Sequence, residues 1–263
     1  MTTWKRALVT GPTAGIGREI ARQLAADHVD LVLVARRADR LEELRAELSG
    51  VEVEVFAADL AKPDDLERVA ARLAEDAAPI DLLVNNAGYG TFGNVWELAP
   101  SDAQGQIDVN VSALVRLSHA AAAHMVVAGH GTILNISSIA GNQPGPRNAV
   151  YGATKAFVTS FSEALAMELR GTGVKVTASC PGFTRTEFHE VAGLPDSPMN
   201  RANLFWMTAD AVARDALRAA ANGKVVRVNG FGNRVAAGAT MAMPRALKRF
   251  AAYQVTSRLR PAD

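Results

Sequence analysis

The clearest chemistry in this chain of 263 residues lies in Tyr151-Gly-Ala-Thr-Lys155. On a helix, side chains four positions apart share a face, so the Lys155 ammonium would stand beside the Tyr151 phenol. A free tyrosine titrates near ~10, too high to exchange protons readily around neutrality. A neighbouring cation favours the phenolate, and a drop of about three units takes roughly 4 kcal/mol of differential stabilisation. The pairing therefore points to a phenol working as general acid and base at a substrate oxygen. Ser137 and Ser138 stand a short way upstream.

A second cluster suits a dinucleotide. Thr10-Gly11-Pro12-Thr13-Ala14-Gly15-Ile16-Gly17 follows an apolar run and opens a helical one. Glycines there let the backbone approach a pyrophosphate, and the helix N-terminus supplies free N–H groups and a favourable dipole. The spacing is Gly-x-x-x-Gly-x-Gly, which ordinary turn chemistry also produces, so its position after the first strand carries the weight. About twenty residues on, where an acidic residue would hold the ribose hydroxyls of NAD, stand Arg36 and Arg37. Two guanidinium forks match a 2′-phosphate, and cations at a helix start otherwise oppose its dipole. The cofactor expected is NADP(H), whose oxidised nicotinamide would add its positive charge to that of Lys155 in favouring the Tyr151 phenolate. Asn85-Asn86-Ala87-Gly88 is small and amide-rich where another strand should meet it.

The elements that must position these groups alternate in period. Strands are expected at 6–10, 31–35, 51–57, 80–84, 132–136, 174–180 and 224–228. Helices are expected at 16–26, 38–48, 64–77, 101–128, 149–170 and 208–221. Nearly continuous apolar strands separated by helices specify an α/β chain with a doubly wound parallel sheet, helices on both faces and ligands at the strands' carboxyl ends. No linker or repeat interrupts the alternation, so one domain over residues 1–263 is expected.

Composition narrows the function. A net charge of +1 provides no basic field for nucleic acid. Cys180 is the only cysteine and ends an apolar strand, where a buried structural thiol is the ordinary case. His28, His119, His124, His130 and His189 fall at no metal-ligand spacing, so no metal is expected. The opening residues lack an export pattern, and the apolar run 120–128 is too short to span a bilayer. A cytoplasmic protein is expected.

Taken together, 10–17, 85–88, Ser138, Tyr151-x-x-x-Lys155 and Pro181-Gly182 resemble the short-chain dehydrogenase/reductase family in order and spacing, across about residues 5–230. The resemblance implies Tyr151 as general acid and base, and Lys155 lowering its pKa while holding the nicotinamide ribose. It implies Ser138 rather than Ser137 on the substrate oxygen, and Asn110 anchoring a proton-relay water. It places Gly11, Thr13, Gly15, Ile16 and Gly17 at the pyrophosphate turn and Asp59 and Leu60 at the adenine. Asn86, Ala87 and Gly88 also meet the cofactor, as do Pro181, Gly182, Phe183 and Thr184 at the nicotinamide and Thr186 at the diphosphate. A homodimer or homotetramer is implied, formed through outer faces read as Val115, Leu117 and Ala121 on one helix and Phe157, Phe161 and Leu165 on the next.

The substrate is less defined. The segment about 186–207 is apolar and broken by Pro195 and Pro198, as in a lid over a greasy pocket, with Tyr89, Phe92 and Trp96 as an opposite wall. An apolar carbonyl compound or alcohol is the natural partner. A dinucleotide sensor without turnover is the alternative on the same fold. At the C-terminus, residues 231–263 hold six basic residues against one acid, and Leu247, Ala251, Val255 and Leu259 recur every four positions after Pro244. A basic amphipathic helix is expected there, packing on its own subunit or a partner's in preference to an anionic membrane, because so few large apolar residues anchor weakly to lipid.

The charge argument has a direct test. Arg36→Asp with Arg37→Ala should weaken NADPH through lost charge-assisted bonds and new repulsion, while NADH use holds or rises. Steady-state kinetics with both cofactors reads this out, and an unmodified protein that prefers NADH would refute it.

Overall fold

A computed structural model describes residues 4–185 and 206–257. Its strands and helices alternate as β1 (Arg6–Thr10), α1 (Gly15–Ala26), β2 (Asp30–Ala35), α2 (Ala38–Glu47), β3 (Val53–Ala57), α3 (Pro63–Leu73) and β4 (Leu82–Asn85). Then come α4 (Pro100–Ile107), a π-helical segment (Asp108–Ala113), α5 (Leu114–Ala128), β5 (Gly131–Ile136), a 3-10 turn (Ile139–Asn142), α6 (Ala149–Glu168) and β6 (Val174–Cys180). Short strands β7 (Thr184–Arg185) and β8 (Met207–Thr208) precede α7 (Ala209–Ala221), β9 (Val226–Val228), α8 (Phe231–Ala242) and α9 (Arg245–Ser257).

The main sheet has the order β3-β2-β1-β4-β5-β6-β9, with every pairing parallel. Chain order reverses between β1 and β4, which opens a crevice beyond their carboxyl ends. Both faces are covered, which explains the continuous apolar strands. Val9, Leu33 and Val84 point to one layer, with Ile20 and Leu24 of α1, Leu41 of α2 and Ala213 and Ala216 of α7. Leu8, Val32 and Leu83 point to the other, with Val69 and Leu73 of α3 and Leu117, Ala121 and Met125 of α5. Burying each larger side chain contributes about 1.5–3 kcal/mol, so the two layers supply most of the drive to fold.

Several expectations change. The helix expected over 101–128 is two α-helices joined by a wider π-helical turn that carries Asn110. Its 29 residues together are long and apolar enough to cross a membrane, but Leu114, Leu117, Ala121 and Met125 are buried against the sheet. Leu117 and Ala121 therefore cannot form an outer face for assembly. Exposed apolar residues of α5 and α6 are instead Val126, Val127, Phe157 and Met167, with the Phe157 and Phe161 rings stacked. Helix α8 had no clear periodic signal. The helix after Pro244 forms; of the stripe expected there Leu247 is exposed and Ala251 half-buried, Phe250 beside it is exposed, and the side chains of Val255 and Leu259 lie outside the described residues.

Polar groups inside the sheet are paired. Asn85 and Asn135 face each other in register on β4 and β5. The Asn85 amide donates to Asn135 Oδ1 at 2.9 Å and to Ser118 at 3.0 Å, while Asn135 donates to Ser162 at 2.9 Å. This chain ties α5, both strands and α6 together at the level of the site. Asn135→Ala should cost about 1–3 kcal/mol by orphaning buried partners, and adding Asn85→Ala should cost less than the sum. Urea unfolding measures both, and strictly additive losses would show that the network does not act as a unit.

Candidate active site

The site forms at the reversal between β1 and β4. Gly11 takes a left-handed φ of +65°, and a Cβ there would lie 2.9 Å from Ala87 Cα. At Gly17 a Cβ would collide with the Asn86 amide and the Gly11 carbonyl. These positions keep α1's N-terminus close to β4, leaving backbone facing the crevice.

Thr10 locks the turn. Its hydroxyl donates to Val84 O at 3.2 Å and accepts from the N–H groups of Asn86 at 3.0 Å and Ala87 at 2.9 Å. The Asn86 side chain donates to Thr10 O and Gly11 O, both at 2.9 Å. Asn86 thus shapes the cradle by tying it to β4. Sequence reasoning missed Thr10, whose only signal is a hydroxyl directly before the glycine turn.

One cavity of about 710 Å³ runs along this edge, within the range that holds small molecules and cofactors. Gly11, Thr13, Gly15, Ile16, Arg36, Arg37, Asp59, Leu60, Asn86, Ala87 and Gly88 line one part. Ser137, Ser138, Tyr151, Lys155 and Pro181–Thr184 line the other. Gly17 lies behind the wall, Asn110 is buried beside it, and Thr186 falls outside the described residues. Arg36 and Arg37 are exposed at the rim, Arg37 reaching Thr13 Oγ1 at 3.5 Å. The glycine cradle and the two guanidinium groups fit a phosphorylated dinucleotide.

The four candidate catalytic residues converge. Ser137 is spent on packing: its hydroxyl donates to Lys155 O at 2.8 Å and meets Thr159 at 2.7 Å. Ser138 faces the cavity, accepts from Ala140 N–H at 3.1 Å, and hydrogen-bonds the Tyr151 hydroxyl. Lys155 is buried and donates to Ile136 O at 2.8 Å, with its ammonium 5.7 Å from the Tyr151 ring centre. Burial pushes the Tyr151 phenol up to about 12, against a smaller opposing effect of the Ser138 hydrogen bond. It pushes Lys155 down to about 8. Burial therefore dominates at the Tyr151 phenol and Lys155 is turned to a main-chain carbonyl, while the depression expected from sequence counts also on the charge of an oxidised nicotinamide.

Asn110 joins two elements beside the cavity. Its Oδ1 accepts from Tyr89 N–H at 3.1 Å, and its Nδ2 donates to Tyr89 O at 2.9 Å and Thr154 at 3.1 Å. The side chain clamps the loop after β4 to α6. Tyr89 and Phe92 do line the cavity, whereas Trp96 is 82% exposed and away from it. Arg147, not anticipated, stacks 4.7 Å over Phe92 from a left-handed backbone at φ +64°, and its carbonyl accepts from Gly93 N–H at 2.8 Å. Trp206 stacks on Phe183 at 5.5 Å, covering the nicotinamide end expected from sequence. Of the segment read as a lid, only Trp206 and Met207 lie within the described residues. Cys180 is buried with its thiol pushed up, as for a structural residue.

A parallel sheet with this crevice, glycine cradle and tyrosine–lysine pair defines a dinucleotide-binding oxidoreductase. The sequence model of the short chain dehydrogenase family matches residues 5–194, and the chain belongs to that family. It is 43% identical over 190 residues to a sulfoacetaldehyde reductase of Chromohalobacter salexigens, covering 68% of this chain and 72% of that one. It is 36% identical to a short-chain dehydrogenase from Sphingobium yanoikuyae solved in complex with NADPH, with a TM-score of 0.81 over 98% of both chains. The bulky-bulky ketone specific alcohol dehydrogenase of Comamonas testosteroni is 31% identical, with a TM-score of 0.77 over 93% of this chain and 97% of that one.

Thr10→Val removes three hydrogen bonds without changing side-chain volume, so each orphaned buried group should cost about 1–3 kcal/mol. Urea unfolding should record a loss of that order, with weaker dinucleotide binding by fluorescence titration. Wild-type values in both assays would show that the clamp is dispensable.

Proposed function

We propose that this protein is an NADP(H)-dependent oxidoreductase interconverting a carbonyl group and a secondary alcohol on an apolar small molecule. Convergence of Ser138, Tyr151 and Lys155 on one cavity with the glycine cradle carries this reading. Arg36 and Arg37 would hold the 2′-phosphate, in keeping with the NADPH of the Sphingobium yanoikuyae enzyme. NADPH supplies the hydride when bound.

The chain's residues handle the proton. Ser138 orients the substrate oxygen and Tyr151 donates to it as the carbonyl is reduced. A phenol held near 12 is fully protonated at working pH, which suits donation. In the oxidising direction, the phenolate would need positive charge from Lys155 and the oxidised nicotinamide to offset its burial. Asn110 would act as a positioning residue through the Tyr89 loop, in addition to any contact with a relay water.

The apolar substrate class rests on Phe92, Ile139, Pro146 and Phe183 in the cavity wall. Among the described lining residues, the cations other than Lys155 are Arg36 and Arg37 at the opposite end, while Arg147 backs the wall through its stacking on Phe92. The likeness to the ketone-specific Comamonas testosteroni enzyme favours the same class. A homodimer or homotetramer would bury the exposed Val127, Phe157 and Met167 of α5 and α6.

Two experiments test the chemistry. Tyr151→Phe should lose ~10²–10⁴-fold in turnover while NADPH affinity changes little. Substantial activity with a wild-type pH profile would remove Tyr151 from its role. Separately, Lys155 carries its charge below about 8 and loses it above. The reductive kcat/KM should therefore be highest below that pH and fall as pH rises through it, with Tyr151 still protonated. A profile flat to pH ~10, the range of an unperturbed lysine, would contradict this assignment.

A further inference from the structure

The C-terminal pair α8 and α9 leaves a surface that the reaction does not use. From Phe231 to Ser257 the chain carries Arg234, Arg245, Lys248 and Arg249 and no acidic residue. None of the four forms an ion pair among the described residues, whereas arginines of α1, α2, α3 and α7 pair with carboxylates. No residue from Pro244 to Gln254 is buried. On α9, Leu247, Phe250 and Tyr253 follow at three-residue spacing and are 51%, 61% and 61% exposed. Arg245 and Arg249 run along the edge of that stripe, one turn apart. On α8, Phe231, Val235 and Met241 are also exposed.

We propose that α8 and α9 form a docking surface for an anionic phospholipid membrane. An outward apolar stripe edged by cations is the arrangement of a helix lying in the headgroup plane, with rings and aliphatic chains entering the acyl boundary and guanidinium groups at the phosphates. Charge selects this occupant over a second copy joined through the same segment. A two-fold contact would set Arg245 and Arg249 against their copies, with no carboxylate in the segment to offset them; Arg234 instead acts on Asp215, and Lys248 is half-buried with its ammonium donating to Met241 O at 3.4 Å. The membrane supplies the missing anions. The surface also begins beside the cavity, since Asn233 of α8 is buried against Gly182. Docking would thus bring the cavity's nicotinamide end toward lipid, and this inference stands whether or not the proposed substrate class is correct.

The test uses the full-length protein with two kinds of vesicle, phosphatidylcholine alone and an equal mixture with phosphatidylglycerol. Co-sedimentation should occur with the anionic vesicles and be reversed by high salt. The triple variant Arg245→Gln, Lys248→Gln, Arg249→Gln should bind them on the order of a hundredfold more weakly. Phe250→Ser should also weaken binding, with NADPH affinity and thermal midpoint unchanged in both variants. Absence of binding to anionic vesicles, or equal binding to both kinds, would overturn the proposal. So would variants that change the light-scattering mass while leaving vesicle binding intact, an outcome that assigns the face to a second copy.

Discussion

The structure depends on how tightly β4 is held beside β1 at their carboxyl ends. One hydroxyl, Thr10, and one amide, Asn86, join the two strands where the chain's winding reverses. Without that closure the glycine turn would lack the backing that keeps α1's N-terminus facing the crevice. The absence of side chains at Gly11 and Gly17 is the other half of the fit, since either Cβ would force the strands apart. A dinucleotide site here is therefore a consequence of backbone proximity, maintained by the Thr10 hydroxyl and the Asn86 amide.

Burial acts in opposite directions on the two titrating groups. It raises the Tyr151 phenol to about 12 and lowers Lys155 to about 8. A helical pair on paper suggests a cation beside a phenol in uniform surroundings. In the folded protein, burial raises the phenol and the Ser138 hydrogen bond only partly offsets it.

The cavity's two ends differ in their supports. At the dinucleotide end, regular elements fix the backbone. At the substrate end, loops are held by side chains: Asn110 clasps Tyr89, Arg147 stacks on Phe92, and Trp206 covers Phe183. Such contacts tolerate exchange more readily than a strand register does, which is the physical basis for one fold serving many substrates.

The sequence alone determined the parallel sheet, because apolar runs buried on both faces leave no other periodicity. It also put forward Tyr151, Lys155, Arg36 and Arg37 as candidates from residue type and position, and Ser138 over Ser137 through the family resemblance. Tertiary structure decided what local spacing does not encode. Thr10 and Arg147 act through partners tens of residues away, and the π-helical turn at Asn110 has no signal in the local spacing. It directed Leu117 and Ala121 inward, although their composition suits an interface equally well. It also turned the α9 stripe outward. A helical period fixes which residues share a face, but only the packed neighbours determine where that face points.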